Sequence, residues 1–213
     1  MKQFDYTEKW KKLLTPEIVS YLTTIHEYKG KQHLIAERHA DVLENLVEMA
    51  RIQSTESSNK IEGIYTSDER LKKIVLDKTM PKTRNEREIA GYRDVLNTIH
   101  ENFQHIPIRD TFILQLHRDL YKFENTSNGG RFKTTDNIIE EEDERGNKFV
   151  RFRPLPAWET PDAIINLCTA YNEAINKGEA DSLLLISMFI IDFLCIHPFN
   201  DGKVTLRYQQ NVA

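Results

Sequence analysis

Apolar residues recur along this chain at helical spacing, and the pattern changes character only once. Residues 15–28 read as a first helix: Thr15 can cap its N-terminus, Pro16 takes the first helical position, and Gly30 is expected to end it. Over 32–54 the positions Leu34, Ile35, Val42, Leu43, Leu46, Val47, Met49, Ala50 and Ile52 make a stripe of helical period. The polar run 54–63 closes on Gly63 and reads as a helix end or a short helical turn. Ser67 caps another short helix reaching about Asp77. Longer helices follow at 83–103, with Ile89, Tyr92, Val95, Leu96 and Ile99 on one side, and at 109–123, with Phe112, Ile113, Leu116, Leu120 and Tyr121.

After the loop at 125–130 come two short β-leaning runs, 132–139 and 148–152, separated by an acidic stretch and the turn Arg145-Gly146-Asn147. Pro154 and Pro156 end this hairpin. Helices resume at 161–176 and 181–196. The last is apolar on nearly every face, which predicts that the other helices surround it. His197-Pro198 stops it. The fold class expected is all-α: a helical bundle with one surface β-hairpin.

Composition fits that picture and removes several functions. With 39% hydrophobic and 29% charged residues among 213, the chain reads as globular. At a net charge of -4 nothing suggests a nucleic-acid footprint, which would need a clustered basic face, and no nucleic-acid partner is expected. The most apolar run, 183–196, is about 14 residues long against the roughly 20 a membrane span needs, and it contains Asp192. No membrane partner is expected. The N-terminus lacks the apolar core of a signal peptide, which predicts a cytoplasmic protein. Cys168 and Cys195 lie far apart in apolar segments and read as two buried, reduced thiols. A homo-oligomer stays open.

The chemistry concentrates in Ile196-His197-Pro198-Phe199-Asn200-Asp201-Gly202. An imidazole at the end of a buried helix suits a general base near neutral pH. A carboxylate four residues on suits Mg²⁺, which takes one or two carboxylates and completes its shell with phosphate oxygens. A Gly-containing turn suits backbone contact with phosphate. By residue type alone, a helix-capping or satisfied core histidine and a plain Asp-Gly turn are the commoner reading.

His197-Pro198-Phe199-Asn200-Asp201-Gly202 resembles the opening of the Fic signature, H-P-F-x-D/E-G-N-G-R-x-x-R. The resemblance extends over about residues 50–202. Ser58-Asn-Lys-Ile-Glu62-Gly63 looks like that family's inhibitory motif, and Glu88–Leu96 like the helix after it. Gly129-Gly-Arg-Phe132 through Arg153-Pro-Leu-Pro156 looks like its flap hairpin and exit. The resemblance implies a Fic-type bundle, with residues 1–105 as an N-terminal helical region carrying the inhibitory motif and 106–213 as the Fic core. It implies a protein adenylyltransferase that moves AMP from ATP, with Mg²⁺, to a hydroxyl of an unidentified target protein. His197 would be the base and Asp201 the Mg²⁺ ligand. Gly202, Lys203 and Phe199 would line the nucleotide site. Glu62 would inhibit, with Ser58 stabilising its helix and Gly63 closing the motif. Thr134, Thr135, Asp136, Asn137 and Ile138 would belong to the flap that docks the target. The alternatives are a non-catalytic protein-binding module and Fic-type transfer of another phosphate-containing group.

The match to the signature stops after Gly202. Lys203, Val204 and Thr205 stand where the family has Asn, Gly and Arg, and Tyr208 stands where it has its last Arg. Thr205 cannot make the charge-assisted phosphate contact of an Arg, and Tyr208 cannot pair with Glu62. A degenerate member, or one using Lys203 or Arg207 for phosphates, would carry such changes. The abrupt break favours a third explanation: residues 203–213 are expected not to be the native continuation, through truncation or a frameshift in the gene.

Overall fold

The computed structural model describes residues 3–36, 40–124, 129–143 and 146–200. They fall into two compact units, one of residues 8–107 with 116–129, the other of 1–7, 108–115 and 130–213. Among the described residues the architecture is seven α-helices and one two-stranded antiparallel sheet. Helix α5 (Asp110–Leu120) contributes its first residues to the second unit and its last to the first.

The first unit opens with a 3-10 turn, Lys9–Leu13, then α1 (Pro16–Ala36) and α2 (Ala40–Ile61). Gly30 does not end α1, because a single glycine costs a helix interior only about 1 kcal/mol. The helix expected at 32–54 is divided between the end of α1 and α2. The polar run after 54 simply continues α2 to Ile61. Leu46, Val47 and Met49 lie exposed, whereas Leu34, Ile35 and Val42 lie outside the described side chains.

α3 (Asp68–Val75) is capped by Ser67, whose side chain accepts from Arg70 N–H. α4 (Arg84–Asn102) is capped by Thr83, which accepts from Glu86 N–H. Both caps meet backbone donors that a helix start leaves open. Leu71, Ile74 and Val75 of α3 pack with Ile89 and Ala90 of α4 into the core, against Ile52, Ile64, Leu76 and Phe123. Gly91 of α4 lies where an added Cβ would fall 1.9 Å from the carbonyl oxygen of Leu120, at the end of α5.

In the second unit, β1 (Ile139–Glu142) pairs with β2 (Lys148–Phe152), Glu141 opposite Phe149 and Glu142 opposite Lys148. The first strand is thus shorter than expected and lies on the acidic stretch. Residues 132–138 are not strand, and Lys133 N–H there bonds to Pro198 O. α6 (Thr160–Lys177) ends at Gly178, whose left-handed conformation (φ 66°) lets its N–H reach Ala174 O and Ile175 O. α7 (Ser182–Ile196) starts one loop later, capped by Asp181.

α7 is not enclosed on every side. It packs against α6 and buries Leu184, Leu185, Met188 and Ile196, but Ile190, Ile191 and Leu194 are 51%, 62% and 62% exposed. Cys168 is buried, which pushes its thiol up to about 11, while Cys195 is only partly buried. Both thiols are free. Asp192, the one charge on α7, accepts a 3.1 Å hydrogen bond from Tyr6 Oη, a residue 2% exposed. No helix among the described residues is long and apolar enough to cross a membrane.

Candidate functional site

α7 stops where its sequence requires. Pro198 disfavours helical geometry at the residue before it, and His197 takes the left-handed region, φ 48° and ψ 70°. Its N–H still closes the last turn on Phe193 O at 3.0 Å. That conformation costs a non-glycine residue about 1–3 kcal/mol and persists only where surroundings enforce it.

The enforcement comes from residues some sixty positions earlier in the chain. Lys133 N–H donates to Pro198 O at 2.8 Å, and Lys133 Nζ to Ile196 O at 3.0 Å. Asn137 Nδ2 donates to Phe199 O at 3.0 Å and lies 2.8 Å from His197 Nδ1. The carbonyls of Ile196, Pro198 and Phe199 are thus all received by Lys133 and Asn137. Lys133 is 3% exposed, and burial lowers its pKa from the ordinary lysine value. Its ammonium sits on a carbonyl at the negative end of α7, where a cation is favoured.

Aromatic rings anchor the same loop. Phe199 is buried, stacked on Phe132 (centroids 6.2 Å apart) and edge-on to Phe193 (6.3 Å). The series continues through Phe189 and Tyr171 to Tyr6. Pro198 is buried as well, so the loop backbone is pinned from below while the His197 ring stays half-buried. A fixed imidazole with a partly open ring can exchange a proton with a group brought to it.

The other expected site residues divide clearly. Asn137 joins His197, and Asp136 Oδ1 accepts from Ala157 N–H at 2.7 Å. Thr134, Thr135 and Ile138 are exposed in the stretch leading into β1. Ser58, Glu62 and Gly63 belong to the other unit. There Ser58 Oγ accepts from Tyr92 Oη at 2.8 Å, Gly63 ends α2 at φ 74°, and Glu62 is exposed. Asp201, Gly202, Lys203, Val204, Thr205, Arg207 and Tyr208 lie outside the described residues. Among the described residues no group of His, Cys, Asp and Glu is placed to hold a metal ion.

Lys133 is the residue that sequence reasoning missed. A lysine in a polar, β-leaning run reads as solvated, and no local signal distinguishes one that reaches a helix end.

Residues 107–207 match the model of the Fic/DOC family. No curated protein matches the chain. Among solved structures it is similar to a Fic domain containing signaling protein from Bacteroides thetaiotaomicron, at 20% identity and TM-score 0.65, over 76% of this chain and 61% of that one. It is also similar to a Fic family protein from Desulfovibrio desulfuricans, at 21% identity and TM-score 0.68, over 89% and 54%. A third is Fic-1 from C. elegans, at 16% identity and TM-score 0.57, over 92% and 59%. The chain therefore spans just over half of the length of each of these structures.

Proposed function

We propose that the chain is a protein adenylyltransferase, since residues 107–207 match the model of the Fic/DOC family, which typically transfers nucleotide or other phosphate-containing groups to proteins. The observation that carries this reading is His197: an imidazole at the end of α7, its loop backbone bound at three carbonyls and its ring half-buried. In the proposed step, His197 takes the proton of a target hydroxyl. The freed oxygen bonds to the α-phosphorus of ATP, and the bond from that phosphorus to the bridging oxygen breaks. Pyrophosphate leaves.

Asp201 is the residue that would hold Mg²⁺. A single carboxylate beside nucleotide phosphates matches the donor set this ion takes, and the ion would supply charge neutralisation at the α- and β-phosphates. Gly202 and Lys203 would meet the phosphates. Phe199 would act from below, as the anchor of the loop. Glu62, presented at the end of α2 with Ser58 and Gly63, would inhibit, and the hairpin would dock the target. Full chain incubated with lysate and Mg²⁺ is expected to transfer label from α-labelled ATP to protein, and His197→Ala to lower this by at least about 100-fold. Label arriving from γ-labelled ATP instead would identify transfer of a different phosphate group. Labelling that survives in His197→Ala would reject His197 as the base.

A second reading is favoured by the residues after Gly202. With Lys203, Val204 and Thr205 in place of Asn, Gly and Arg, the cradle lacks its fork-shaped cation. A non-catalytic protein-binding module would give no heat on titration with ATP and Mg²⁺, whereas the transferase reading requires nucleotide binding.

A further inference from the structure

The side-chain contact of Asn137 with the His197 ring has no part in the step above. Asn137 Nδ2 lies 2.8 Å from His197 Nδ1 and 3.0 Å from Phe199 O. A backbone carbonyl only accepts, so the amide must turn its nitrogen, not its oxygen, towards Phe199 O. The reverse orientation would set Oδ1 against Phe199 O, two acceptors at hydrogen-bonding distance. The NH₂ group has two hydrogens and two acceptors before it, one of them His197 Nδ1. A ring nitrogen that receives an N–H must have its lone pair free. In the neutral ring the single proton then sits on Nε2.

We propose that Asn137 is a positioning residue that holds His197 in the Nε2–H tautomer, so that the ring can accept a proton only when this amide contact is released. This inference rests on the reading of His197 as the proton acceptor and deepens it. In the resting arrangement the ring's only lone pair is covered by the Asn137 amide, and Nε2 can donate but not accept. With the amide contact released, the Nδ1 lone pair is open to take a proton.

Asn137 stands two residues before β1, which starts at Ile139. Asn137 belongs to the histidine and not only to the docking strand.

The test reads the tautomer directly and needs no turnover. The full chain is labelled with ¹⁵N in its histidine rings and held above the ordinary histidine titration range. The His197 resonances are identified by their absence in His197→Gln. The wild-type ring is expected to show a pyridine-like Nδ1 and a protonated Nε2. Asn137→Asp offers only acceptors, so its ring is expected to invert to Nδ1–H, and Asn137→Ala to populate both tautomers. A wild-type ring already protonated at Nδ1 overturns the proposal whether or not the variants fold. So does an Asn137→Asp ring that stays in the wild-type pattern. Loss of the adenylyltransferase reading would show separately, as absent labelling from ATP, and would leave the tautomer result standing.

Discussion

Gly91→Ala is expected to destabilise the protein by about 3 kcal/mol, against the gain of about 1 kcal/mol that the same change brings in an open helix. The sign is decided by Leu120. An added Cβ would stand 1.9 Å from its carbonyl oxygen and 2.8 Å from its carbonyl carbon, and both are backbone atoms. A flexible side chain could swing away, but these atoms move only if the end of α5 moves. That end is tied to Ile89 and Ala90 through Phe123, which packs on their cluster. Equilibrium urea unfolding measures the change. A variant as stable as the wild type, or more so, would mean that α4 and α5 do not meet at this glycine.

Glu86→Gln is expected to cost about 2 kcal/mol at neutral pH, in line with charge-assisted bonds at a buried carboxylate. Glu86 is 5% exposed and accepts from Arg70 Nε at 2.9 Å, Arg70 Nη2 at 2.7 Å and Lys82 N–H at 2.6 Å. The Arg70 hydrogen bond, helped by those from the Lys82 and Thr83 backbone, holds its carboxyl at about 2, below the ordinary 4.5. The folded state thus releases this proton more readily than the unfolded chain. The stabilisation is complete above the ordinary carboxylate range and disappears as pH falls from about 4.5 through about 2. Unfolding curves of wild type and Glu86→Gln should converge over that window. A gap that stays constant down to pH 2 would show that the charge of Glu86 is not what stabilises the pair.

Much of the fold was legible because its signals are local. Ser67, read as a cap, accepts from Arg70 N–H three residues on, and the helix starts near Thr83 and Asp181 were likewise placed from local signals. The hairpin's second strand was placed correctly at 148–152, but its first was placed too early. β-leaning residue types at 132–138 describe a surface suited to pairing, not the partner actually taken. Here Lys133 N–H bonds to Pro198 O instead of a strand, and the ladder begins only at Ile139, on glutamates that propensity disfavours.

The loop at His197 shows both halves of this division. Sequence by itself determined that a buried helix stops at His197-Pro198 and that Phe199 follows as an apolar anchor. It also carried His197–Gly202, which resembles the opening of the Fic signature. All of this follows from neighbours along the chain: proline's ring acts on the residue before it, and a motif is read in order. Tertiary structure alone decided what holds the imidazole. Lys133 and Asn137 reach the loop from 63 and 60 residues away in sequence, and no periodicity relates such positions. It also decided that α7, apolar on nearly every face, packs against α6 yet leaves Ile190, Ile191 and Leu194 exposed. Hydrophobicity states what a side chain would gain by burial, and only a packed neighbour can provide it.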